Sequence, residues 1–305
     1  MTPAAMTRLP LSVIVVFHDM HREAPRTLAT LAPGYQRGVT AADYEVLAVD
    51  VGSARPLEAS RVAKHGPAFR LLHAPAAASP AAAVNEAARQ AAGDAVALCI
   101  DGARMLSPGI VAGMLAALRM FRDPVVATLA WHLGPKVQNE SILEGYDQAA
   151  EDRLLASIDW QADGYELFRI ATLAASSGSG WFRPISESNC LALPRPAWEA
   201  LGGLDERFVS PGGGFVNLDF YRRACDRAAE LVMLLGEGSF HQVHGGVATN
   251  APWASHPFDA FHAEYRAIRG GDYESPTRQA CYLGELPEQA LPFLAHSIAA
   301  AAAAY

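Results

Sequence analysis

The feature that most limits how this chain can fold is an alternation across its first half. Short β-rich apolar runs take turns with helix-length segments, and three of the runs are followed by polar or small residues. The runs cover residues 12–17, 45–49, 69–73, 95–100 and 125–130. Strands spaced in this way are predicted to pair in parallel, because a parallel pair needs a crossover long enough to hold a helix. Two crossovers carry their own start signals: Ser79-Pro80 and Ser107-Pro108 each set an N-cap hydroxyl before a proline at the first helical position. The first helix is predicted over 81–92, ending at Gly93. The second puts Ile110, Val111, Met114, Leu115, Leu118 and Phe121 on one face and breaks at Asp123-Pro124.

The expected architecture is therefore α/β, a mostly parallel central sheet with helices on both faces. A hydrophobic content of 51% and a charged content of 18% over 305 residues support one large core. The formal charge of -8, with Lys and Arg scattered, argues against nucleic acid and anionic membrane as partners. Cys99, Cys190, Cys225 and Cys281 form no Cys-x-x-Cys pair and read as buried or idle thiols in a reducing cytoplasm. No apolar run approaches the roughly 18 residues of a membrane span, and none near the start reads as a signal peptide. The alanines from Ala299 to Ala304 read as a helix end or a frayed terminus.

In open sheets of this kind ligands sit beyond the carboxyl ends of the strands. The residues delivered there are His18-Asp19, Asp50-Val51-Gly52-Ser53 and Asp101-Gly102-Ala103. A carboxylate at such an end is held rigidly and can bind a base, a ribose or a divalent metal; equally, it can cap the next turn. His241-Gln242-Val243-His244-Gly245-Gly246 sets two histidines three apart in an expected loop, either half of a metal site or an incidental pair. Gly212-Gly213-Gly214 either lets the backbone approach a ligand or is an ordinary loop. It matches neither a Walker loop nor a dinucleotide fingerprint, which argues against an NTPase or a dehydrogenase.

After residue 135 the pattern changes. Residues 138–187 lack strand alternation and are expected to cover the site as an insertion, with a helix near 147–159 and a mobile loop at Ser176-Ser177-Gly178-Ser179-Gly180. A strand at 189–193, helices at 195–201 and 218–229 and a strand at 231–235 follow, with no repeat and no interdomain linker.

In order, these segments resemble the family 2 glycosyltransferases of the GT-A fold. Val13-Ile14-Val15-Val16-Phe17 resembles the opening strand, and Glu45 through Asp50-Val51-Gly52-Ser53 the second strand with its Asp-Asn-Gly-Ser ending. Val84-Asn85-Glu86-Ala87-Ala88 through Gly93-Asp94 to Asp101 resembles the approach to the Asp-x-Asp metal motif. Leu201-Gly202-Gly203-Leu204-Asp205-Glu206-Arg207-Phe208 is similar to the Gly-Gly-Phe-Asp-Glu-x-Phe segment, and Phe240 to Gly246 to the closing metal-histidine segment. The resemblance spans roughly residues 10–250.

It implies a single domain divided into a nucleotide-binding half (10–135), an acceptor-side insertion or lid (136–187), an acceptor and metal-histidine half (188–250) and a C-terminal helical extension (251–305). Phe17, His18, Asp50, Gly52, Ser53, Asn85 and Asp101 would line the nucleotide, while Asp101 and His244 would bind Mn²⁺ or Mg²⁺. The implied reaction is inverting transfer of a sugar from a nucleoside-diphosphate donor to the hydroxyl of an unidentified acceptor. Two positions depart from the pattern. Ala103 stands where the second metal Asp falls, and Asn217, in Gly214-Phe215-Val216-Asn217-Leu218-Asp219, stands where the catalytic Asp falls. An amide accepts no proton at neutral pH, so Glu187 is the first candidate for the base and Asp219 the second; each reads otherwise as a loop acid or a helix-start carboxylate. Trp181 and Trp253 are either sugar-stacking or core aromatics. The alternatives are a nucleotide-sugar-binding protein that has lost transfer and a nucleotidyltransferase. The latter calls for a Gly-rich loop with a basic residue after the first strand, and Phe17-His18-Asp19-Met20-His21 has none.

Overall fold

A computed structural model of the chain describes residues 9–303; the expectations for the first eight residues and for Ala304 lie outside the described residues. In chain order the first half runs β1 (Leu11–Phe17), α1 (Ala24–Leu31), β2 (Tyr44–Val51), α2 (Ala59–Ala63), β3 (Phe69–Ala74), α3 (Ala81–Gln90), β4 (Ala95–Cys99), β5 (Arg104–Leu106), α4 (Ile110–Met120) and β6 (Pro124–Leu133). The second half runs α5 (Gln138–Ser141), α6 (Gln148–Ala156), β7 (Ala171–Leu173), β8 (Cys190–Pro194), α7 (Arg195–Leu201), α8 (Val216–Arg227), β9 (Glu230–His241), α9 (Phe258–Arg269), β10 (Cys281–Gly284) and α10 (Leu291–Ala302). Among the described residues no helix is long and apolar enough to cross a membrane.

All ten strands join one sheet, ordered β10-β9-β6-β8-β4-β1-β2-β3, with β5 on β9 and β7 on β6. Pairs β1·β2, β1·β4, β2·β3, β6·β9 and β9·β10 are parallel, whereas β8 runs antiparallel to both β4 and β6. Every residue of β1 is buried because both faces are covered. Ile14 and Val16 pack in the cluster that holds Val84 of α3, Trp198 of α7 and Phe220 of α8. Val13 and Val15 pack in the cluster that holds Leu28 of α1 and Met114 of α4.

Several expectations need correction. Helix α3 begins at Ala81 with Pro80 at its N-cap, and Ser79 Oγ accepts only a long 3.4 Å bond from Ala81 N. Helix α4 starts after Gly109, and Ser107 donates its hydroxyl to buried Glu237 instead of capping. The insertion does contain a strand, β7, which pairs with β6 through Trp131↔Leu173. Its expected mobile loop is tied down: Ala130 N donates to Ser177 Oγ at 3.0 Å, and a Cβ on Gly180 would lie 2.0 Å from Ser297 Oγ. The C-terminal stretch is not wholly helical, since β10 extends the sheet beyond β9. The expected helix near 147–159 is α6, capped by Asp147, whose carboxylate accepts from Ala150 N at 2.8 Å.

Strand β9 changes register midway. Ala127 faces Met233 and Leu129 faces Gly238, so β9 advances five residues while β6 advances two, leaving three extra residues around Gly236 and Glu237. The first half of β9 pairs with β10 and the second with β5. This break carries His241 to the end of the sheet.

Candidate functional site

Immediately after β4 the chain turns through Asp101-Gly102-Ala103 into β5. Gly102 N donates to Val16 O at 2.6 Å, and Thr27 Oγ1 donates to Gly102 O at 2.6 Å. Only glycine fits there, because a Cβ would lie 2.3 Å from the Phe17 ring and 2.5 Å from Val16 O. Ala103 N donates to Asp101 Oδ1 at 2.9 Å, which fixes the carboxylate and leaves Oδ2 facing the site. The β5·β9 pairing sets Arg104 opposite His241, and Gln242 N closes it with a 2.7 Å bond to Ala103 O. Asp101 Oδ2 therefore stands 2.8 Å from His241 Nε2 and 3.8 Å from His244 Nε2. The sequence offers His241 only as half of a pair lacking a third candidate ligand; the structure sets Asp101 beside that pair.

The tautomer of His241 follows from its other nitrogen. Gln138 Nε2 donates to the carbonyls of His241 (2.9 Å) and Leu133 (3.3 Å), so Gln138 Oε1 must be the atom 2.6 Å from His241 Nδ1. Nδ1 then carries the proton and Nε2 turns its lone pair toward Asp101. Burial pushes His241 down to about 4, leaving the ring neutral near pH 7. Burial alone would raise the Asp101 pKa, but His241, His244 and Arg104 outweigh it and hold the carboxyl well below the usual range. The carboxylate and the imidazole lone pair face each other at 2.8 Å, with Thr249 Oγ1 3.2 Å from that nitrogen and Arg104 Nε 3.8 Å from Asp101 Oδ2, and a bound cation would join the two directly. Asn250 Oδ1 accepts from the backbone N–H groups of His244, Gly245 and Gly246 at 3.0, 3.0 and 3.1 Å, which shapes the loop that presents His244.

One ligand atom from each of Asp101, His241 and His244 lies within 4.8 Å of the others. Two imidazole nitrogens with one carboxylate oxygen suit a first-row divalent ion such as Mn²⁺ better than Mg²⁺, which prefers oxygen alone. The residues thus fit a metal. Ala103 adds nothing to the set, being fully buried in the core.

The loops after β1 and β2 are stitched together. His18 Nδ1 lies 2.7 Å from Val51 O, Asp19 N donates to Ser53 Oγ at 2.9 Å, and Ala54 N donates to Asp19 Oδ1 at 2.7 Å. Asp50 is buried and accepts from Ser53 N and Leu57 N at 3.1 and 2.6 Å. Gly52 has φ of 59°, and a Cβ there would meet Ala76 Cα at 2.3 Å. His18, Asp50, Gly52 and Ser53 therefore do converge at one edge. Phe17 and Asn85 sit differently. The Phe17 ring is fully buried beneath Gly102, and Asn85 bonds both the N–H and the carbonyl of Leu204, tying α3 to the Gly202-Gly203 turn.

The acid side is organised around Asn217, in the first turn of α8. The β4·β8 register, Cys99↔Cys190, is prolonged by the Ile100 N to Asn189 O bond and brings the Glu187-Ser188 segment alongside Asp101. Asn217 Nδ2 donates to Glu187 at 2.7 Å, while Asn217 Oδ1 is buried without a partner. Asp219 is 1% exposed, and its carboxylate is committed to Arg223 (2.7 Å) and Arg269 (2.6 and 2.8 Å). The Arg223 pair lies within α8 and the Arg269 pair ties α8 to α9, so both oxygens of this second base candidate are engaged by guanidinium groups. Of the two tryptophans, Trp181 is core at 1% exposure and Trp253 is 41% exposed.

This sheet, with strand direction reversing at β8 and an Asp-His-His cluster beyond the strand ends, is the GT-A nucleotide-diphospho-sugar transferase fold. No protein-family model matches the sequence, and no curated protein sequence matches it. Solved structures of TarS from S. aureus share the fold. One aligns at 13% identity and a TM-score of 0.56, covering 85% of this chain and 39% of that one. TarS 1-349 in complex with UDP-GlcNAc aligns at 15% identity and 0.53, covering 85% and 65%. TarS 1-349 alone gives 14% and 0.51, covering 87% and 67%. The present chain thus spans well under half the length of the first of these.

Proposed function

We propose that this chain is a metal-dependent inverting glycosyltransferase, family 2-like, moving a sugar from a nucleoside-diphosphate donor to an acceptor hydroxyl. The observation that carries the reading is the Asp101, His241 and His244 cluster at the carboxyl edge of a GT-A sheet. The fold shared with TarS in its UDP-GlcNAc complex makes a UDP-sugar the first donor to test.

Asp101, His241 and His244 would hold Mn²⁺, which when bound neutralises the departing diphosphate. The stitched 18–19 and 50–54 loops would take the base and ribose. Glu187 would remove the acceptor proton as the acceptor oxygen bonds the anomeric carbon and the bond to the donor phosphate breaks. The Asn217 amide donates to Glu187 and aims its carboxylate. A second reading, a nucleotide-sugar-binding protein without transfer, is motivated by the amide of Asn217 at the position of the family's catalytic acid.

Purified protein incubated with Mn²⁺ and UDP-, GDP- or dTDP-sugars, with cell extract as acceptor source, separates the two. The transferase reading expects metal-dependent release of nucleoside diphosphate. Tight donor binding with no release under any condition favours the second.

A further inference from the structure

An aromatic ridge runs from the proposed base to the surface. The Tyr273 hydroxyl donates to Ser186 O, next to Glu187, and its ring packs on Phe215 at 5.9 Å between centroids. Phe215 meets Phe261 at 5.9 Å, and Phe261 meets His256 at 6.0 Å. These inner contacts are edge-on, as buried aromatics usually pack. The outer end differs. Trp253 and Phe258 lie 6.1 Å apart and within 11° of parallel, and His256 stacks on Phe258 at 3.7 Å. Trp253 and Phe258 are 41% and 42% exposed. The platform belongs to the segment that leaves His244, and Asn139 anchors that segment by donating to Ala248 O and Ala251 O, both at 2.7 Å.

We propose that Trp253, His256 and Phe258 form an acceptor subsite that binds a sugar ring by stacking, so that the acceptor is a saccharide. This rests on the transferase reading. Trp253 and Phe258, roughly parallel and partly exposed, match the apolar C–H face of a pyranose, and His262 beside Phe258 supplies a polar partner for its hydroxyl edge. The 6.1 Å spacing is on the scale of one such ring. The formal charge of -8 and the exposed Asp259 beside Phe258 disfavour an anionic lipid surface. The ridge to Glu187 places the subsite on the acceptor side of the proposed chemistry.

The test uses the full chain, labelled, on an array of immobilised pyranose glycans, alongside Trp253→Ala, Phe258→Ala and the conservative Trp253→Phe. Retention should fall about tenfold or more in both alanine variants and persist in Trp253→Phe. With a retained glycan as acceptor, the alanine variants should raise the acceptor KM far more than the KM for the nucleotide sugar. Thermal unfolding of each variant checks that it is folded. Retention of no glycan, or equal retention by all variants, overturns the proposal. So does binding to phosphatidylcholine–phosphatidylglycerol vesicles that the alanine variants lose. Nucleoside diphosphate release is read in parallel to separate the two ideas. Glycan binding without any release removes the transferase and leaves the subsite; release with an unchanged acceptor KM removes the subsite and leaves the transferase.

Discussion

The Glu187 carboxylate is 2.7 Å from the side-chain amide of Asn217, so an acid from the segment before β8 stands against the first turn of α8. If Glu187 is the base, Glu187→Gln should lower kcat by about 10² to 10⁴ while leaving nucleoside diphosphate affinity nearly intact. Asn217→Asp sets two carboxylates side by side. One then takes up a proton at higher pH, and the acid limb of the kcat profile should move up by about one unit. A kcat in Glu187→Gln equal to that of the parent would eliminate Glu187.

Gln138 makes no contact with the Asp101 carboxylate, yet it fixes which nitrogen of His241 faces it. Gln138→Leu removes the acceptor at Nδ1, frees the ring and should weaken Mn²⁺ binding by about 10- to 100-fold. Electron paramagnetic resonance titration of Mn²⁺ measures this. His241→Ala should lose more, and unchanged Mn²⁺ affinity in both variants would mean that His241 is not a ligand.

An acid introduced at position 103 should not strengthen the site. Ala103 is fully buried in the cluster beneath β4 and β5, so Ala103→Asp would force a carboxylate into apolar packing. The expected result is a loss of about 3 kcal/mol or more in denaturant unfolding, with no gain in Mn²⁺ affinity. A stable variant that binds Mn²⁺ more tightly would show that the turn can reorient.

Glu237, in the β9 register break, supplies a pH dependence. Burial pushes it from the usual 4.5 up to about 7, against the pull of bonds from Ser107, Tyr165 and Gly109. The folded state thus keeps its proton where the unfolded chain has released it, and the unfolded chain binds fewer protons between those values. Stability should therefore fall as pH rises from about 4.5 to about 7, by roughly 3 kcal/mol. Urea unfolding across that window measures the slope. Glu237→Gln should flatten it, and an equal slope in the variant would assign it to other groups.

What could be read from the sequence followed from how local each signal is. Strands β1, β2 and β4 are legible because full burial on both faces writes a near-continuous apolar run, and Asp50 and Asp101 are legible as the residues at the ends of such runs. His241 was read only as half of a pair, because its link to Asp101 passes through β5, a strand of three residues that leaves no periodic trace. Strand β10, four residues long, escaped for the same reason. Ser107 carried a valid capping signal but sits within reach of Glu237, a partner that no local pattern reveals. Asp219 looked like a helix-start acid because Arg269, which claims it, arrives from α9.

The register break in β9 ties distant parts of the chain to one another. Cys281–Gly284 clasp the strand on one side of the break, and Arg104–Leu106 clasp it on the other. A strand held at both ends cannot slide, since a shift of one residue would turn its side chains to the opposite face. The late segment around β10 therefore acts as ballast for His241, and a truncation that spared all three members of the cluster would still unseat one of them.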